Sequence, residues 1–74
     1  MKIVNDNWIV LQEADLKNDP TIKGIICLIP HTDDSNEFCT HLMRKDDKSL
    51  FWGHYFGPNL VLAAKDFEKR IEGS

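Results

Sequence analysis

The chain has 74 residues, with nine Lys and Arg against twelve Asp and Glu and a net charge of −3. A single domain, 1–74, of that length buries only about 60% of its unfolded surface, so a deep enclosed active site would need walls from an oligomer, a metal or a partner. The acidic balance argues against broad attraction to phosphate backbones, and the longest apolar run, Ile25 to Pro30, is far too short to cross a membrane.

From Met1 to Asp6 the chain lacks the apolar core of a secretory signal. The expected location is the cytoplasm, where Cys27 and Cys39 stay reduced. Trp8-Ile9-Val10-Leu11-Gln12, bounded by Asn5-Asp6-Asn7, predicts a first strand. The stretch from Glu13 to Pro20 is polar; Asp15-Leu16-Lys17 can form one helical turn, which Asn18-Asp19-Pro20 ends because the residue before proline avoids the helical region. Ile22 to Ile29 is almost continuously apolar, as in a strand at the middle of a sheet. Pro30 to Asn36 is a turn-forming cluster, and Glu37 to Arg44 alternates as a third strand.

Lys45-Asp46-Asp47-Lys48 reverses the chain into a fourth strand, Ser49 to Phe56, which holds four of the seven aromatics. Gly57-Pro58 breaks it. Leu60, Ala64, Phe67 and Ile71 then recur at helical spacing, with Asn59 placed to cap the start, Lys69 and Arg70 suited to the C-terminal end, and Gly73 as a stop. The expected fold is α+β, a four-stranded antiparallel sheet in the order β-β-β-β-α, with the C-terminal amphipathic helix packed on one face.

A symmetric Lys45–Lys48 turn sets the hairpin register. Phe38 then faces Tyr55, Thr40 faces Gly53 and Leu42 faces Phe51 on one side; on the other, Cys39 faces His54, His41 faces Trp52, Met43 faces Leu50 and Glu37 faces Phe56. The helix is assigned to the first side, where Gly53 leaves room for Ala64 and Phe67. The second side presents Trp52, His54, Phe56, His41 and Met43 as an apolar patch of the kind that marks a binding surface. Asp33, Asp34, Asp46 and Asp47 add acidic loops suited to a basic partner.

Chemistry-bearing residues are sparse. Cys39, His41 and His54 share a face in this register and supply three possible zinc ligands, but no CxxC or HxH pair accompanies them. A thiol nucleophile built from Cys39 and His54 lacks an oxyanion hole and an orienting third group. Cys27 and Cys39 stand side by side if the intervening loop closes symmetrically. His31, Asp33 and Asp34 lack the glycine and carboxylate spacing of a calcium loop, and Gly53 and Gly57 form no phosphate loop. No catalytic residue, metal or cofactor is therefore assigned.

The expected function is a small non-enzymatic binding module or inhibitor that occludes a larger protein or nucleoprotein partner. An anti-CRISPR-like protein of a phage or mobile element, acting on a nucleic-acid-handling complex, fits that description. Two alternatives stay open: a single-stranded nucleic-acid binder that stacks bases on the aromatic sheet face, and a zinc-dependent enzyme using Cys39, His41 and His54.

Overall fold

The β-branched and apolar runs become strands that pair with their neighbours in chain order. The computed structural model describes residues 1–30 and 36–73. Among them, β1 (Lys2–Val4), β2 (Trp8–Leu16), β3 (Asp19–Pro30), β4 (Asn36–Arg44) and β5 (Leu50–Tyr55) form one antiparallel sheet in the order β1-β2-β3-β4-β5, followed by the helix α1 (Leu60–Gly73).

The sheet departs from the expected four strands in two ways: it gains a fifth strand, and β2 runs further than the apolar run that starts it. Asn5 and Asp6 adopt positive φ angles of 48° and 72°, a conformation their short polar side chains tolerate, and so fold Lys2–Val4 back on β2. The segment from Glu13 to Leu16, expected as polar connection with a helical turn, instead continues β2, because β3 is long enough to supply Ile25, Gly24 and Lys23 as partners for Glu13, Ala14 and Asp15. Pairing along the whole ladder outweighs a single helical turn, whose nucleation is unfavourable in isolation.

The β3–β4 register, from Ile22 opposite Arg44 to Pro30 opposite Asn36, sorts the central strands between two sides. On one side Ile26, Ala63 and Phe67 form a buried cluster, with Ala14, Phe38, Phe56, Ala64 and Ile71 packed around it. The helix seats here because Gly24 has no side chain: a β-carbon at that position would stand 2.9 Å from Ile71 Cγ2 and 3.6 Å from Phe67 Cε1. Gly24 thus takes the role expected of Gly53. The inward stripe is centred on Ala63 and Phe67 with Ile71, while Leu60, expected inside, is 43% exposed.

Both ends of α1 are tied down. The Leu62 amide donates to Asn59 Oδ1 at 3.0 Å, the expected cap, and the Lys17 amide donates to the Ile71 carbonyl at 2.9 Å. Among the described residues, no helix is long and apolar enough to cross a membrane.

The other side of the sheet has no helix over it, yet Ile25, Cys27, Ile29, Cys39 and Met43 are buried there, with Val4, Trp8, Val10 and Leu50 packed against them. Curling of the sheet supplies the cover. Trp8 of β2 reaches across β3 to His41 of β4, with ring centroids 5.3 Å apart. Strands β3 and β4 therefore contribute to both cores.

Candidate functional site: the bulge at Trp52

The β4–β5 hairpin starts in the register set by its turn, with Met43 opposite Leu50 and Leu42 opposite Phe51. Beyond that point it slips: Thr40 lies opposite His54 and Cys39 opposite Tyr55. Trp52 and Gly53 together oppose His41, which makes a β-bulge. Trp52 takes the left-handed conformation, φ 52°, that a bulge of this shape usually assigns to glycine. For a residue with a β-carbon this costs about 1–2 kcal/mol. Trp52 is 74% exposed, and among the described residues its ring meets only Phe51 among the aromatic rings, at 5.4 Å and 73°.

Because side chains alternate along a strand, the extra residue reverses the expected facing of everything after it. His54 comes to the helix side, where Nδ1 lies 3.0 Å from Asp66 Oδ2. Phe56 joins the core beneath the helix rather than an outer patch. Tyr55 swings to the curled side, its hydroxyl 3.2 Å from His41 Nε2. His41 and Met43, expected at the surface, are 6% and 5% exposed. The predicted patch of Trp52, His54, Phe56, His41 and Met43 is thus dispersed: His41 and Met43 are buried and Phe56 is half-buried under the helix, while Trp52 and His54 stay exposed.

The same slip separates the zinc candidates: Cys39 and His41 face the curled side and His54 the helix side, so no shared ligand set forms. The Cys39–His54 pair is broken for the same reason. Among the described residues, no cluster of three His, Cys, Asp or Glu is placed to hold a metal ion. Cys27 and Cys39 are direct cross-strand partners as expected, both free and both fully buried. The hydrogen bond with Cys39 and the loss of solvation push the Cys27 thiol well above its ordinary value. A thiol-modifying reagent is expected to label neither cysteine in the native protein and both in urea; rapid native labelling would show that the curl opens.

The acidic turn at Asp46 and Asp47 carries less free charge than the sequence implies. Asp46 pairs with Arg44 at 3.2 Å, and Asp47 accepts from the Ser49 amide and hydroxyl at 3.0 and 2.8 Å while lying 3.9 Å from Arg44 Nε. With Lys45 and Lys48, the segment Arg44–Lys48 holds more cations than carboxylates. His31, Asp33 and Asp34 lie outside the described residues.

Sequence reasoning passes over Asp66. In the fold it accepts a hydrogen bond from the Thr40 hydroxyl, contacts His54, and pairs with Arg70 Nε at 3.2 Å. The four-residue spacing of Asp66 and Arg70 is the available signal for that last contact. No known protein family matches the chain, and neither curated proteins nor solved structures yield a match.

Proposed function

We propose that the chain is a small non-enzymatic binding module that occludes part of a larger protein, with Trp52 as its anchor. The observation that carries this reading is the exposed indole at a left-handed backbone position. Such a residue adds strain and leaves most of its apolar surface in water, so its presence is not explained by the stability of the isolated chain. Backbone strain concentrates at ligand clamps and similar sites, and Trp is enriched among residues that dominate binding energy. The setting favoured by size and architecture is the anti-defence one, with a nucleic-acid-handling complex as partner.

The test is capture from the native host by the tagged chain, followed by mass spectrometry, with Trp52→Gly as the matched control. Glycine suits the positive φ, so this variant should keep its unfolding free energy to within about 1 kcal/mol. Capture should fall at least about tenfold, a loss of roughly 1.4 kcal/mol in binding. Undiminished capture by a folded Trp52→Gly protein would remove Trp52 from the interface. A captured partner that handles no nucleic acid would remove the anti-defence setting and leave the binding module standing.

A further inference from the structure

Beside the β4–β5 turn, the curled side of the sheet ends in a concavity of about 260 Å³ lined by Lys2, Lys23, Met43, Lys45 and Lys48. Four cations of a chain whose net charge is −3 converge on this one place. Their alignment is built in. The Glu13 carboxylate bridges Lys2, at 2.6 Å, and Lys23, while Asp15 holds Lys45 at 2.9 Å. Lys48 pairs with no carboxylate among the described residues, and its backbone is left-handed, φ 59°, where glycine would be easier. Four lysines thus line the concavity beside the buried Met43, with two carboxylates, Glu13 and Asp15, holding three of them in place.

We propose that this concavity binds a compact phosphoryl anion, a diphosphate group. Lysine binds phosphate as a mobile point charge, and tetrahedral phosphoryl oxygens accept from donors approaching along several directions. The volume lies below the roughly 300–1,000 Å³ of pockets that enclose drug-sized ligands, so the site takes the anion itself, with any attached group projecting outward. Free inorganic diphosphate and the terminal phosphates of a nucleotide share this chemistry. The site is distinct from Trp52 and does not depend on the function proposed for it.

Calorimetric titration of the full chain at low salt, with inorganic diphosphate and in parallel with a nucleoside diphosphate, tests the assignment. One saturable site with a Kd below about 1 mM is expected, weakening as salt is added. Lys48→Gly removes an ammonium group and relieves the backbone, so it should weaken binding about tenfold or more without lowering the Tm. Lys23→Gln should weaken it comparably, and Lys65→Gln, on the helix, should leave it unchanged. Tighter binding of the nucleoside diphosphate assigns the site to nucleotides; equal affinity assigns it to the diphosphate group alone. The proposal is overturned by the absence of saturable binding, by unchanged affinity in Lys48→Gly, or by an equal loss in Lys65→Gln.

Discussion

Gly53→Ala is expected to destabilise the protein by about 3 kcal/mol, at the upper end of what overpacking in a core commonly costs. The added β-carbon would stand 2.2 Å from His41 Nε2, 2.7 Å from Cε1 and 2.8 Å from Cδ2. The imidazole has little freedom to retreat. It lies between Trp8 and Tyr55, with ring centroids at 5.3 and 5.5 Å, and is 6% exposed. Turning the ring away would also break its contact with the Tyr55 hydroxyl. In a domain of this size the loss corresponds to a fall in Tm of roughly 12–24 °C, readable by thermal or urea denaturation. Substituting His41→Ala in the Gly53→Ala background should recover part of it, because the two changes act on one contact and cannot be additive. A strictly additive double variant would mean that the imidazole does not occupy the space beside Gly53.

Asp66→Ala is expected to cost a similar amount, roughly 3 kcal/mol, for a different reason. The carboxylate draws three elements together: Thr40 on β4, His54 on β5 and Arg70 one turn along the helix. Thr40 is fully buried, so its hydroxyl would lose this partner without water to replace it. The acid limb of stability carries the same signature. Burial raises the Asp66 carboxyl, but the bonds from Thr40 and His54 and the field of Arg70 outweigh it and hold the group below its ordinary value. A lowered folded-state pKa stabilises the fold above the ordinary carboxylate range, and this contribution is lost as pH falls through the folded value. Asp66→Asn should therefore narrow its stability deficit relative to the wild type as the pH drops below about 4. A deficit that stays constant with pH would assign the cost to shape rather than charge.

The parts of this fold that follow local rules are readable from residue order. Asn59 before a helical stripe, the apolar run of β3, and the polar Lys45–Lys48 reversal each specify their element with nearby residues alone. The start of the hairpin register is readable for the same reason, since turn length fixes it. What lies beyond Phe51 is not, because a bulge is settled by what the chain must fit against. His41 needs a neighbour without a side chain, and Gly53 reaches it only when Trp52 steps out of the ladder. From that single displacement follow the places of His54, Tyr55 and Phe56, and with them the loss of the expected patch and the zinc trio. The role of Gly24 is hidden likewise: it depends on where Ile71 arrives, some fifty positions later. Lys2–Val4 is too short to carry a pattern of its own, and the lysine concavity gathers residues from several separate segments.

The bulge also makes Trp52 an insertion in the plain sense. Excising that one residue would bring Gly53 directly opposite His41, His54 opposite Thr40 and Tyr55 opposite Cys39 in an unbroken ladder, with Leu50 and Phe51 keeping their partners. Every later side chain would keep the side it now faces. A chain shortened in this way is expected to keep the architecture and to lack only the indole. Trp52 is then separable from the sheet that carries it, since the ladder closes without it and no later residue changes sides.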